Sequence, residues 1–139
     1  MKGTRLHFTA SLSRLNELLS QLTVQITSLE PDLPQAWLEE IRLICSEIFS
    51  NICNYSGLSG NDPVRIVLFE NKNSLNIWFR DNGARWYPEN ATLPNLDEPQ
   101  EHGYGLYLIR LLTDGFIYKR KEHRPFCNIT QIAKSVPHA

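Results

Sequence analysis

Residues 44–55, ICSEIFSNICNY, carry two patterns at once. With Trp37 and Ile41 upstream, Ile44, Ile48, Ile52 and Tyr55 recur every three or four residues and form one apolar stripe of a helix. Glu47, Asn51 and Asn54 keep the same spacing and make a polar stripe along one edge of that face. A carboxylate and a carboxamide one turn apart, beside a core-facing surface, can grip a metal-bound anion. Solvated polar residues at helical spacing are commoner, so the stripe gains meaning only from the rest of the chain.

The chain has 139 residues, a length that suits one domain around one core. Hydrophobic residues make up 42% and charged residues 21%, with a net charge of -1. That balance supplies no electrostatic attraction for nucleic acid, so no nucleic-acid partner is expected. Cys45, Cys53 and Cys127 lack metal-ligand spacing and read as buried free thiols in a reducing compartment. No apolar run is long enough to span a membrane, and the start MKGTRLHFTASL lacks a signal-peptide core. A cytoplasmic protein with no membrane partner is expected.

Arg5 to Ala10 alternates as a strand, with Leu6, Phe8 and Ala10 on one side. Ser11 or Ser13 is placed to cap a helix running to about Ser28, with Leu15, Leu18, Leu19, Leu22 and Ile26 buried. Pro31 and Pro34 break it, and Pro34 opens the long helix to Tyr55. Pro63 to Glu70 and Ser74 to Asp81 form a hairpin about Asn71-Lys72-Asn73. Asn82 to His102 is a polar, proline-bearing loop, long enough to serve as a lid. Gly103-Tyr104-Gly105 opens a helix from Leu106 to about Thr113. Phe116 to Glu122 and Phe126 to Ala133 make a second hairpin turning near residues 123–125. The order β-α-α-β-β-loop-α-β-β implies an α+β fold, a two-layer sandwich with helices on one face of a mostly antiparallel, mixed sheet.

Three separated pieces carry chemistry: Glu47 with Asn51, Asp81-Asn82-Gly83 at a strand end, and Gly103-Tyr104-Gly105-Leu106 at a helix start. An Asp-x-Gly is usually a turn, and a Gly-x-Gly is usually a tight helix entry. Their order, with a long loop between the second and third, is more specific than any one of them. Histidines 7, 102, 123 and 138 show no metal spacing or phosphoacceptor context, and no serine sits in a nucleophile elbow.

Glu47-Ile48-Phe49-Ser50-Asn51, the stretch Asp81 to Pro88, and Gly103 to Asp114 together resemble the nucleotide-binding core of the GHKL superfamily, the Bergerat-fold or histidine-kinase-like ATPases. The compact chain most resembles the anti-sigma-factor serine kinases of bacterial partner switching, over nearly its whole length. That resemblance implies ATP and Mg²⁺ as cofactors, with Glu47 as general base and Asn51 as Mg²⁺ ligand. It implies Asp81 as the reader of the adenine amine, beside Gly83. Gly103 and Gly105 would offer bare backbone N–H groups to the phosphates, and Tyr104, Leu106 and Asn54 fall among the implied cofactor-binding residues. Asn128 falls where the family places a small polar residue on the adenine side.

The chain departs from the pattern in places. Tyr55 stands where relatives often carry histidine and is expected in the core. Arg85 and Trp86 replace the second glycine of the broader pattern and the residue after it. Glu101-His102 precede the glycines where some relatives have an arginine, and Arg110 is a substitute more suited to facing a partner or solvent. Lys72, Lys119, Arg120 and Lys121 read as solvated turn and strand charges.

The resemblance thus implies a protein-serine/threonine kinase and anti-sigma factor. It would phosphorylate a small STAS-type anti-sigma antagonist, hold a sigma factor or another regulatory protein, and work as a homodimer. The alternative is a nucleotide-sensing module that binds protein with little or no transfer. A domain detached from a larger sensor kinase is disfavoured by the N-terminal strand and helix.

Overall fold

The computed structural model describes residues 3–86 and 104–137. β1 (Gly3–Thr9) leads through a 3₁₀ turn (Leu12–Arg14) into α1 (Leu15–Leu29) and α2 (Gln35–Tyr55). The hairpin β2 (Pro63–Asn71) and β3 (Ser74–Asp81) follows, then α3 (Tyr104–Leu112) and the hairpin β4 (Gly115–Arg120) and β5 (Asn128–Ser135). The strands form one sheet in the order β1-β2-β3-β5-β4. Every pairing among the described residues is antiparallel, so the sheet is not mixed as expected. β3 and β4 run parallel and are joined through α3, but β5 lies between them and pairs antiparallel with both, so no parallel ladder forms.

Strand alternation sends one set of side chains towards the helices. Three registered rows cross this inner face. Thr4, Leu68, Ile77, Ile132 and Phe116 form one, and Leu6, Ile66, Phe79, Thr130 and Tyr118 the next. The last is Phe8, Val64, Asp81, Asn128 and Arg120. Ile41, Ile44, Phe49, Ile66, Ile77 and Phe79 are fully buried where α2 meets the sheet. Each such side chain contributes roughly 1.5–3 kcal/mol, so this seam fixes where α2 lies. The first two rows are mostly apolar; the third turns polar at β3. The place where the core ends is therefore built into strand register.

Some expectations are corrected. Neither Ser11 nor Ser13 caps α1, because their hydroxyls bond each other at 2.8 Å and Arg14 takes the cap position. Tyr55 is 66% exposed, not part of the core. It lies about five turns from Trp37 and so shares its side of the helix, but the last turn runs past the surface that the rest of α2 packs on. Cys45 and Cys127 are buried, whereas Cys53 is only half-buried. Burial pushes the Cys45 thiol far up and the Cys53 thiol to about 11, so neither is a nucleophile at neutral pH.

At the far end of α3, Lys134 Nζ donates to Leu112 O at 2.7 Å and pairs with Glu40 Oε2 at 2.8 Å. A cation at the C-terminus of a helix is favoured by its dipole. The contact ties the end of α3 to β5 and α2.

The β2–β3 turn places Lys72 at φ 51° and Asn73 at φ 64°, the two left-handed positions of a two-residue hairpin. Asparagine tolerates this conformation, while a lysine pays roughly 1 kcal/mol for it. Lys72→Gly is expected to gain about 0.5–1 kcal/mol, read as a higher midpoint in thermal melts, once the looser unfolded chain offsets part of the relief.

Candidate functional site

The polar end of the third row is the first half of the site. Asp81 ends β3 and is 3% exposed. Its Oδ1 accepts the Gly83 N–H at 2.8 Å and Asn128 Nδ2 at 2.9 Å. Asn128, opposite it on β5, also donates to Gly83 O at 3.0 Å and Ala84 O at 3.1 Å. Burial raises the Asp81 carboxyl above its usual range, opposed by Asn128, the Gly83 N–H and the charge of Arg120.

The end of α2 closes the floor. Ala84 N–H donates to Ser56 O at 2.8 Å. A Cβ on Gly83 would stand 2.4 Å from Ser56 Cβ and 2.9 Å from Ser56 O. Gly83 is therefore needed for close approach to the helix end, in addition to any passage beside a ligand.

The second half lies farther up α2. Glu47 and Asn51 are half-buried one turn apart, and Asn54 is exposed. A Cβ on Gly105 would meet Glu47 Oε2 at 2.5 Å, so the carboxylate sits against the first turn of α3. Leu106 is buried beneath that turn. Tyr104 begins α3. Gly103, with Glu101, His102 and most of the lid, lies outside the described residues. From Glu47 to Ser56 is about 13 Å along the helix, and Asn51 lies between. Along α2, then, a carboxylate meets the first turn of α3, and about 13 Å farther on the helix end meets the loop beside a buried carboxyl.

Four contributors were not expected. Arg120 is no solvated charge: its Nη1 donates to Gly83 O at 2.7 Å and to Asn128 Oδ1 at 3.0 Å. The Tyr118 hydroxyl also donates to Asn128 Oδ1 and accepts from the Trp86 N–H at 3.0 Å. The Trp86 ring packs edge-on against Phe116 and Tyr118, both at 5.7 Å. Ser56 is the fourth. A signal existed for Arg120: the hairpin read from the sequence, turning near residues 123–125, already pairs it with Asn128.

The sequence matches the family described as histidine kinase-like ATPase domain over residues 8–134. The chain belongs to that family. The ATPase domain family implies ATP binding, and its match takes in both halves of the site. Comparison with curated proteins finds no match. Among solved structures, this ATPase domain is similar to the RsbU and RsbW domains of Rv1364c from Mycobacterium tuberculosis, with a TM-score of 0.68 and 10% identity. The likeness covers 100% of this chain and 34% of that one, so this domain spans about a third of the longer protein. At that identity the likeness establishes the fold: an α+β sandwich with a five-stranded antiparallel sheet.

Among the described residues no group of three or more His, Cys, Asp or Glu is placed to hold a metal ion, and no helix is long and apolar enough to cross a membrane. The half-buried carboxamide of Asn51 and carboxylate of Glu47 are hard oxygen donors, too few to cage a cation alone. That donor set fits Mg²⁺ brought with a polyphosphate, which supplies the remaining oxygens.

Proposed function

We propose that this domain is an ATP-dependent protein-serine/threonine kinase and anti-sigma factor of a partner-switching system. The observation that carries this reading is the Glu47 carboxylate set against the N-terminal turn of α3, one turn of α2 from Asn51. A phosphate lying at that helix start would be met by backbone N–H groups and the positive end of the dipole. Glu47 would then stand beside the terminal phosphoryl, placed to take the proton of an incoming serine or threonine hydroxyl. Asn51 would hold Mg²⁺, which when bound neutralises charge on the phosphates. Asp81 would accept from the adenine amine, with Gly83 and Asn128 framing the base. Gly103, Tyr104, Gly105 and Leu106 would form the phosphate cradle, and the loop from Ala84 to His102 the lid. A module that only sensed ATP would not need a general base at the phosphate end.

The acceptor proposed is a STAS-type antagonist, with a sigma factor or another regulatory protein held in the alternative state, in a cytoplasmic homodimer. The fold likeness to a structure containing an RsbW domain supports that choice.

The Asp81 carboxyl tests the nucleotide half of this reading. Asp81→Asn is expected to weaken Mg-ATP binding by one to two decades, the worth of a charge-assisted hydrogen bond of roughly 1.5–3 kcal/mol. Its effect on stability runs the other way. A carboxyl raised in the folded state favours folding fully only below its unfolded value, and that contribution is lost as pH rises through the folded value. At neutral pH the ionised group is therefore a burden on the fold, and Asp81→Asn should melt no lower than the parent. Calorimetric titration with Mg-ATP beside thermal melts reads both. An unchanged dissociation constant would count against the adenine pocket.

A further inference from the structure

We infer that Arg120 is a positioning residue that sets purine selectivity at the Asp81 pocket; this rests on the adenine-reading role proposed above. The geometry begins with Asn128. Its amide oxygen faces two donors from β4, the Tyr118 hydroxyl and Arg120 Nη1. Its amide nitrogen faces three oxygens: Asp81 Oδ1, Gly83 O and Ala84 O. Turning the carboxamide over would set oxygen against oxygens and N–H against donors, so it has one orientation. Asp81 Oδ1 is thereby occupied by two N–H groups. Among the described residues no donor reaches Asp81 Oδ2, which remains as the acceptor for a base edge. An ionised carboxylate offering one acceptor selects an exocyclic amine, as in adenine, and repels the O6 of guanine.

Arg120 holds this state in two ways. One of its nitrogens bridges Gly83 O and Asn128 Oδ1, which fixes the loop and the amide together. Its charge also favours the ionised form of a carboxyl that burial pushes towards the neutral one. Besides Asp81 itself, ionisable groups that hydrogen-bond into the cluster are Arg120 on β4 and, also on Asn128 Oδ1, the Tyr118 phenol, while Arg85 follows Ala84 on the loop. β5 contributes only Asn128 there, and the end of α2 only Ser56. Without the guanidinium, more of the carboxyl is protonated. A protonated carboxyl can donate, and the O6 of guanine then finds a partner where it met repulsion.

The test compares the full chain with Arg120→Met and Arg120→Lys, titrated calorimetrically with Mg-ATP and Mg-GTP from about pH 5 to about pH 8. Arg120→Met should lose about tenfold in ATP affinity and narrow the ATP-over-GTP preference by a similar factor. The acidic fall in its ATP binding should begin at higher pH than in the parent. Arg120→Lys, which keeps the charge, should restore preference and pH profile. Should Arg120→Met not fold, Tyr118→Phe gives the complementary reading. It removes a donor to Asn128 but no charge, and should weaken binding without moving the pH profile. A folded Arg120→Met with the parent's preference and pH profile overturns the inference while leaving the ATP site standing. A parent chain that binds neither nucleotide overturns the ATP site and this inference with it.

Discussion

Glu47→Ala is expected to remove phosphoryl transfer to an antagonist, by about two to four decades, while Mg-ATP affinity stays close to that of the parent. The separation of the two effects follows from α2. Glu47 lies at the proposed phosphate end, about 13 Å along the helix from the contact between Ser56 and Gly83 that would support the adenine end. Removing the carboxylate leaves Asp81, Asn128 and the floor of the proposed base pocket in place. Gly105→Ala should give a weaker version of the same result. Its Cβ would fall 2.5 Å from Glu47 Oε2, the mobile end of a side chain, so the base would move aside and the fold would survive. Incubation with labelled ATP and candidate antagonists measures transfer; calorimetry measures binding. Joint loss of binding and transfer in Glu47→Ala would assign Glu47 to holding the fold or the metal. A parent chain that binds ATP but transfers nothing to any candidate would favour the nucleotide-sensing alternative.

The sequence carried much of this arrangement because its patterns are local. The α2 stripe from Trp37 to Ile52, the hairpin about Lys72-Asn73 and the start of α3 all follow from spacing within one element. Glu47 and Asn51 share a side of α2 for the same reason. What escaped depends on partners distant in sequence. Tyr55 has the right periodicity for the core, and only the extent of the packed surface leaves it exposed. The order β1-β2-β3-β5-β4 places Arg120 two strands from Asp81; the local hairpin pairs Arg120 with Asn128 but does not announce the carboxyl beyond it. A charge near a strand end is ordinarily solvated. This one is not, because the row it belongs to holds a buried carboxyl and an amide. Ser56 escaped for a related reason: its role is to stand where a side chain on Gly83 would be.

That contact leads to the largest effect expected on the fold. Gly83→Ala should cost about 2–3 kcal/mol, as overpacking a closed space does, and lower the melting midpoint by roughly 5–15 °C. The added Cβ would lie 2.4 Å from Ser56 Cβ, 2.9 Å from Ser56 O and 2.9 Å from Asp81 Oδ1. Neither Ser56 atom is the free end of a flexible chain, and the Ala84 N–H bond to Ser56 O holds the helix end close. The strand end and α2 must separate, which also pulls Gly83 O away from Arg120 and Asn128. ATP affinity should therefore fall with stability. Gly57→Ala is the contrast: Gly57 has φ 73° and nothing within 4 Å of an added Cβ. It should cost roughly 1 kcal/mol through backbone strain and leave ATP affinity alone. Adding Ser56→Gly to Gly83→Ala removes the nearest clashing atom and should recover part of both losses, a non-additivity expected only of residues in contact. If the double variant merely summed the two single effects, space between Ser56 and Gly83 would not be what the glycine provides.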